Sequence, residues 1–397
     1  MKDDNAGRMR ENRVYLTEQA CDLAAFRALI DRTVNPADYP FAGAVVANVL
    51  IYDGDGVREA AASPGRRREM MAEWVEALSD GPGIIVIRKA FDDLAPVEAA
   101  SARFWAMIDE QNRTGLARGD HFAKPGANDR MWNALEKLCL ADPKAFAAYY
   151  GNAAIALVSE AWLGPGYQIT SQLNVVNPGG EAQVPHRDYH MGFQTAREIE
   201  RFPAHAHRLS PMLTLQGAVA HCDMPLESGP TLYLPFSQTY LPGYLAALRD
   251  DFRACFEARK VQLPLQTGDA VFFNPALFHA AGSNRSKDIR RIANLLQVSS
   301  AYGRAMESVD RLKMSLALYP TLKRLLADRA IAPEAADAAV AACAEGYSFP
   351  TNLDRDPAIG GLAPQSQASL MRQALKEDWT PEAFAKAAEA QASRKLT

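Results

Sequence analysis

Apolar residues recur at helical spacing near both ends of the chain, whereas short β-rich runs dominate the middle. Helices are predicted at residues 17–30, 68–78, 94–111, 129–140, 143–163, 322–343 and 367–390. Strands are predicted at residues 84–88, 167–176, 212–221, 231–235, 270–273 and 291–299. Several short strands separated by turns are typical of a jelly-roll barrel or sandwich. We therefore expect an α+β protein with a double-stranded β-helix (jelly-roll, cupin-like) core, N-terminal helices packed on it and a helical C-terminal extension.

The domain organisation follows from the same pattern. No internal repeat or low-complexity linker divides the sequence, so we expect one elaborated domain over residues 1–397. Within it, residues 1–82 form an N-terminal helical elaboration and residues 83–303 form the central region, whose jelly-roll core begins near residue 165. Residues 304–397 form the helical C-terminal extension.

Composition and charge exclude several classes of partner. Hydrophobic residues make up 48% of the 397 residues, and no apolar run is long enough to span a bilayer, so we expect a globular protein without a membrane partner. The N-terminus has no apolar signal core, which makes the cytoplasm the expected location. A formal net charge of -4 gives no attraction to nucleic acid. The five scattered cysteines lack a Cys-x-x-Cys pair and are expected to be reduced thiols.

A candidate metal site is the most informative feature. In an extended strand, residues i and i+2 project to the same face, so His186 and Asp188 can present an imidazole and a carboxylate to one point. His279 follows an aromatic strand and is the candidate third ligand. Two histidines and one carboxylate leave open positions on one face of an octahedral Fe(II). A lone His-x-Asp is usually a surface or turn feature, but its combination with His279 in the β-rich region favours iron binding.

An arginine beyond His279 suggests how a cosubstrate would be held. Arg290 follows a turn, so the chain can return antiparallel beside the His279 strand. Its guanidinium would there pair bidentately with the distal carboxylate of an oxo-acid. Arg291 is the alternative if the turn differs by one residue, because strand side chains alternate and the two arginines cannot both face the interior.

Together these motifs resemble those of the phytanoyl-CoA dioxygenase family, which includes ectoine hydroxylases. The resemblance covers about residues 83–300. The segments that carry it, besides the ligand motif, are 83–91, 173–179, 223–238 and 279–290. The sequence departs from the family at Phe236 and Gln238, where glycine and histidine are usual, and it adds the C-terminal helices.

The resemblance implies a cofactor set and a reaction. It implies that His186, Asp188 and His279 bind Fe(II), that Arg290 pairs with 2-oxoglutarate, and that Asn174 contacts this cosubstrate. With O₂, such an enzyme hydroxylates an unactivated C–H bond of a small organic substrate and releases succinate and CO₂. Desaturation, cyclisation or epimerisation are alternative outcomes in such chemistry.

Three further residues are candidate substrate contacts. Gln172 shares a strand face with Asn174, and such a polar row inside a barrel needs hydrogen-bond partners or a ligand. His190 would face the same cavity if the strand continued beyond Asp188; otherwise it is a loop histidine. By the resemblance, His121 borders the substrate entrance.

Two other functions are alternatives to the oxygenase interpretation. A cupin-type metal enzyme that does not use 2-oxoglutarate would typically have more than two histidines at the metal and no need for Arg290. A non-catalytic jelly-roll binding protein would have a damaged ligand set or lack the arginine. The C-terminal helices are candidates for a lid or for the interface of a homodimer.

Overall fold

Two β-sheets form the centre of the protein. The structure, a computed structural model, describes residues 13–114 and 127–396. Its strands are β1 (Ala44–Val46), β2 (Val49–Asp53), β3 (Ile84–Arg88), β4 (Asn128–Met131), β5 (Gln168–Val176), β6 (Thr214–Ala220), β7 (Leu232–Leu234), β8 (Val261–Gln262), β9 (Ala270–Phe273), β10 (Phe278–Ala280) and β11 (Arg291–Ser299). The large sheet has the order β1-β2-β3-β9-β6-β11-β5-β4, and the small sheet has the order β10-β7-β8. All neighbouring strands are antiparallel except β2 and β3.

Helices cover one face of the large sheet and form the C-terminal part of the chain. They are α1 (Leu23–Ile30), α2 (Gly54–Ala62), α3 (Pro64–Ser79), α4 (Ala95–Arg113), α5 (Ala134–Ala141), α6 (Pro143–Tyr150), α7 (Ala153–Leu163), α8 (Ala196–Ile199), α9 (Ala204–Leu209), α10 (Gly243–Ala246), α11 (Asp250–Arg259), α12 (Arg311–Ala327), α13 (Pro333–Cys343), α14 (Gln367–Lys376) and α15 (Pro381–Arg394). Within the described ranges, none of these helices combines the length and apolar character that crossing a bilayer requires.

The two faces of the large sheet have different neighbours. On β11, Asn294 donates from Nδ2 to the hydroxyls of Tyr149 and Tyr150 on α6, at 3.2 Å each, and so faces the helices. The adjacent residues Ala293 and Leu295 line a cavity on the opposite face. This alternation is the usual geometry of a strand, and it separates a helix-covered face from a cavity face.

The two sheets pack against each other beside that cavity. One apolar cluster joins residues of the large sheet to residues of the small sheet and its flanking loops; its buried members are Val49, Ile84, Val86, Tyr233, Leu263, Val271, Phe273 and Leu277. The strand Ile84–Arg88, predicted as buried from its β-branched run, is therefore enclosed by packing on both sides.

Local capping explains where the structure departs from the predicted helices. Residues 143–163 form two helices because Asn152 accepts hydrogen bonds from the backbone N–H groups of Ala154 (2.9 Å) and Ile155 (3.1 Å) and so begins α7. Residues 128–131 are a strand, β4, that pairs with β5, and the predicted helix begins only at Ala134. The N-terminal region is also not purely helical, because β1 and β2 extend the large sheet through β3.

At Phe236, one of the positions where the sequence departs from the family pattern, the backbone has an unusual conformation. Phe236, where glycine is usual, has a φ of 67°, in the left-handed region that glycine adopts most readily. Its ring is buried, and the Arg32 guanidinium lies 4.6 Å from the ring centroid. Apolar burial and this cation–π contact offset the backbone strain.

Candidate metal centre

The structure brings together the three residues that the sequence predicted as ligands. The potential ligand atoms of His186, Asp188 and His279 all lie within 4.8 Å of one another. Asp188 Oδ1 is 3.6 Å from His186 Nε2, and Asp188 Oδ2 is 3.4 Å from His279 Nε2. Among the residues that the structure describes, this is the one group of this kind.

Backbone pairing places the ligands at the edge of the small sheet. His186 N–H donates to the carbonyl of His279 at 3.0 Å, and His279 N–H donates back at 3.2 Å. Two residues on, Asp188 N–H donates to the carbonyl of Pro275 at 3.0 Å. The His-x-Asp segment therefore runs antiparallel to the chain around β10, which positions His279 directly opposite His186.

The two imidazoles are oriented by their own neighbouring backbone. Nδ1 of His186 lies 2.8 Å from the carbonyl oxygen of Val184, and Nδ1 of His279 lies 2.8 Å from that of Leu277. A carbonyl only accepts, so each Nδ1 carries the hydrogen and each Nε2 is left with its lone pair. Such outer hydrogen bonds fix the tautomer that a metal needs.

The protonation states also suit a metal. Burial, together with the neighbouring His279, lowers the pKa of His186 below its ordinary value, although Asp188 opposes this change. Burial alone would raise the pKa of Asp188, but its contacts with His279, His186 and the amide of Gln216 outweigh burial and hold that pKa well below its usual range. A donor set of two imidazoles and one carboxylate fits a facial Fe(II) site.

The ligands open into a cavity of about 500 Å³ between the two sheets. Its wall includes side chains of both sheets, among them Phe273 and Tyr233, and its accessible rim includes Trp132, Val184 and Phe193. The cavity has the size and mixed polarity of a small-molecule site.

Arg291, not Arg290, faces this cavity, which corrects the placement preferred from the sequence. Arg291 is buried, lines the cavity and has a buried Nη1 without a hydrogen-bond partner in the structure. Burial lowers the pKa of Arg291 to about 10, which still leaves it charged at neutral pH. Arg290 is exposed, with its guanidinium 4.2 Å from the ring centroid of Trp105 and 3.4 Å from an Asp129 carboxylate oxygen.

The turn before β11 determines which arginine points inward. Asn284 Nδ2 donates to the carbonyls of Val176 (2.8 Å) and Ile289 (2.7 Å), which ties the turn to the end of β5. Arg291 is thereby placed opposite Val176 in the ladder. Because side chains alternate along a strand, Arg290 is directed to the outer side.

The other predicted cavity residues divide into two groups. Gln172 and Asn174 both line the cavity, and Asn174 Oδ1 is buried without a hydrogen-bond partner. His190 is not among the lining residues: residues 186–188 form only an isolated bridge and no strand continues beyond them, His190 has a φ of 45°, and its Nδ1 lies 2.8 Å from Ser210 Oγ. His121 lies outside the described residues.

Three cavity residues were missed by the sequence analysis. Gln216 donates from Nε2 to the carboxylate of Asp188, Gln297 lies beside Gln216, and Arg130 donates to Gln172. The available signal was a polar side chain within an otherwise apolar strand, as in Leu-Gln-Gly-Ala-Val for Gln216.

Glu307 is a buried carboxylate next to Met306 of the cavity wall. Its Oε1 accepts from Asn133 N–H at 2.7 Å, whereas Oε2 is buried without a partner. Burial raises the pKa of Glu307 to about 7, against the lowering effects of Asn133 N–H and the Arg130 charge. The folded protein therefore retains a proton that the unfolded chain loses near its ordinary pKa of 4.5.

This difference predicts a pH-dependent effect of Glu307→Gln. The stability contributed by a group with a raised folded pKa is complete below the unfolded pKa and is lost as pH rises through the folded pKa. We expect the free energy of unfolding of Glu307→Gln minus that of the wild type to rise by about 1–3 kcal/mol between pH 5 and pH 8, measured by urea denaturation. Glu69→Gln, at an exposed position on α3, should show little change. A difference between Glu307→Gln and wild type that stays constant with pH would contradict the expectation.

Comparison with known proteins identifies the family. The model of the phytanoyl-CoA dioxygenase family matches residues 71–292, more than half of the chain. The chain belongs to this family. His186, Asp188 and His279 all lie within the matched range, so the cluster found in the structure is part of the family region of the chain.

The individual proteins and structures that resemble this chain share little sequence identity with it. A dioxygenase named trt7, from Aspergillus terreus (strain NIH 2624 / FGSC A1156), is 30% identical over 114 residues, which is 29% of this chain and 34% of that protein. The chain thus matches about a third of the length of this curated relative. Among solved structures, the non-heme alpha-ketoglutarate-dependent epimerase SnoN from nogalamycin biosynthesis has 18% identity and a TM-score of 0.39, covering 60% of this chain and 85% of that one. The carbocyclase SnoK from the same biosynthesis has 18% identity and a TM-score of 0.42, covering 59% and 86%.

Proposed function

We propose that this protein is an Fe(II)- and 2-oxoglutarate-dependent dioxygenase that hydroxylates an unactivated C–H bond of a small organic substrate. The observation that carries the proposal is the convergence of His186, Asp188 and His279 on one point of a cavity that also contains the buried Arg291. In the balanced reaction, one atom of O₂ enters the substrate as hydroxyl, the other enters succinate, and 2-oxoglutarate loses CO₂. The two packed sheets around this site support a jelly-roll core, which we propose as the fold type.

Each cavity residue then has a definable task. Nε2 of His186 and of His279 and a carboxylate oxygen of Asp188 would hold the iron. When bound, iron supplies the O₂ chemistry and 2-oxoglutarate supplies the accompanying electrons. Arg291 would pair through two parallel N–H donors with the distal carboxylate of 2-oxoglutarate, which satisfies its orphaned Nη1. Asn174 would donate from its amide to the same cosubstrate.

Tyr233 links the two parts of this arrangement. It is the cross-strand partner of His279 on β7, and it lies close enough to Arg291 for the guanidinium to lower its pKa against the larger raising effect of burial. Tyr233 therefore lies on the cavity wall in the vicinity of both His279 and Arg291, and we propose that a short dicarboxylate would lie along it. A cupin-type metal enzyme that does not use 2-oxoglutarate gives no reason for the buried, unpaired Arg291.

Succinate formation tests the proposal directly. Protein supplied with Fe(II), ascorbate, O₂ and 2-oxoglutarate is expected to release succinate slowly without substrate and faster with a true substrate, and release should stop when O₂ or iron is omitted. Iron binding with O₂ consumption that does not depend on 2-oxoglutarate would favour the cupin-type enzyme instead. Absence of iron binding would favour a non-catalytic binding protein.

A further inference from the structure

Three glutamines form a continuous row of amides on the cavity face of the large sheet. Gln216 of β6 and Gln297 of β11 are direct cross-strand partners. Gln172 of β5 donates from Nε2 to Gln297 Oε1 at 3.0 Å. All three are buried and line the cavity. We call Gln172, Gln216 and Gln297 the amide row.

A charged group at each end sets the orientation of these amides. At one end, Arg130 can only donate, and its Nε and Nη2 lie 3.1 and 2.6 Å from Gln172 Oε1. Gln172 therefore donates from its Nε2 to the Oε1 of Gln297. The Nε2 of Gln297 then remains as a donor for a ligand.

At the other end of the row, the carboxylate of Asp188 can only accept. Gln216 donates to it from Nε2, so the Oε1 of Gln216 is directed away from Asp188. This Oε1 is buried and has no hydrogen-bond partner in the structure. A buried carbonyl oxygen without a partner is costly and rare, so it marks a place where a ligand is expected.

Two adjacent side chains thus present opposite hydrogen-bonding groups. Side chains directly opposite each other on antiparallel strands have Cβ atoms about 5 Å apart. The acceptor of Gln216 and the donor of Gln297 are therefore close enough for one small group to meet both. A carboxylate there would repel Gln216 Oε1, and an ammonium group could not accept from Gln297 Nε2.

We propose that Gln216 and Gln297 bind a neutral group of the substrate that donates one hydrogen bond and accepts another, which is the chemistry of a hydroxyl or an amide. Because Gln216 also holds the metal ligand Asp188, this group lies next to the metal centre and helps to select the C–H bond that reacts. The inference rests on the proposed function in treating the bound molecule as the substrate, and the binding groups themselves are independent of turnover.

Matched small molecules test the proposal by ligand-observed NMR on the full chain, with and without Zn(II) and 2-oxoglutarate. Cyclohexanol and 2-piperidone both donate and accept, whereas cyclohexanone and N-methyl-2-piperidone only accept. One additional hydrogen bond predicts a dissociation constant roughly fivefold lower for cyclohexanol than for cyclohexanone, or for 2-piperidone than for its N-methyl form. Preference within one pair identifies that group as the hydroxyl or the amide. Equal affinities within both pairs, or no binding by either donor-bearing compound up to its solubility, would overturn the proposal.

Two substitutions assign the preference to the amide row. Gln216→Met removes the acceptor that only the donor-bearing compounds can use, so it is expected to reduce the preference to about one. Gln297→Met removes the donor that all four compounds can use, so it is expected to raise each dissociation constant roughly fivefold and to leave the preference in place. Gln168→Met is the matched control, because Gln168 on β5 donates to the carbonyls of Ser300 and Gly303 and is not a cavity residue. Thermal unfolding of each variant verifies folding. Retention of the preference in folded Gln216→Met, or unchanged dissociation constants in folded Gln297→Met, would overturn the assignment.

The two proposals fail in different ways. The preference between paired compounds is measured without iron or turnover. If the wild-type protein shows this preference but forms no succinate, the proposed function is wrong and the assignment of the binding groups stands. If the protein forms succinate but does not distinguish the paired compounds, the proposed function stands and the assignment of Gln216 and Gln297 is wrong.

Discussion

Replacing Asp188 with alanine is expected to abolish stoichiometric iron binding and to lower succinate formation at least about a hundredfold. Asp188 is the single carboxylate of the described cluster, and without it two imidazoles remain, too few to hold Fe(II) in a facial site. The substitution also removes the acceptor that orients Gln216. Iron content by metal analysis and succinate release in the same preparation give the two measurements.

Asp109→Ala is the matched control for this variant. Asp109 is exposed on α4 and does not line the cavity, so iron content and succinate formation should match those of the wild type. Full iron occupancy together with wild-type succinate formation in Asp188→Ala would exclude the cluster as the metal centre.

Replacing Arg291 with glutamine is expected to raise the KM for 2-oxoglutarate roughly a hundredfold, because a buried bidentate ion pair with the cosubstrate is lost. Arg290→Gln removes a cation of the same type one position away and should change this KM less than about threefold, since exposed contacts contribute little. Steady-state kinetics with varied 2-oxoglutarate separates the two variants.

The opposite ranking would assign cosubstrate binding to Arg290. It would require the outward guanidinium to leave Trp105 and Asp129 and the strand to shift its register by one residue. Equal small effects in both variants would instead show that no arginine of this turn holds the cosubstrate.

Parts of the site could be predicted because they depend on local rules. The i, i+2 spacing of His186 and Asp188 is enough to place both side chains on one side of an extended chain, and the structure does so. The choice between Arg290 and Arg291 depended on one residue of register. That register is determined by the bonds of Asn284 to Val176 and Ile289, which join segments distant in sequence.

Other features depend on contacts that no local pattern contains. His190 leaves the cavity because the backbone turns at Tyr189 and His190, both with positive φ, which a strand pattern does not predict. The contact of Gln216 with Asp188 joins segments distant in sequence and is made only when β6 packs beside residues 186–188. Even the observed strands β1 and β2 were not predicted, because three to five residues carry too little periodicity to distinguish them from a loop.

The range matched by the family model, residues 71–292, begins after β2 and ends at the second residue of β11. A chain shortened to this range would leave the hydrogen-bonding edge of β3 bare and would remove most of the strand that joins β6 to β5. Unpaired edges of this kind promote aggregation. We therefore propose that residues 1–397 form one cooperative unit, and that the segments flanking the family range are needed for the catalytic half to fold at all.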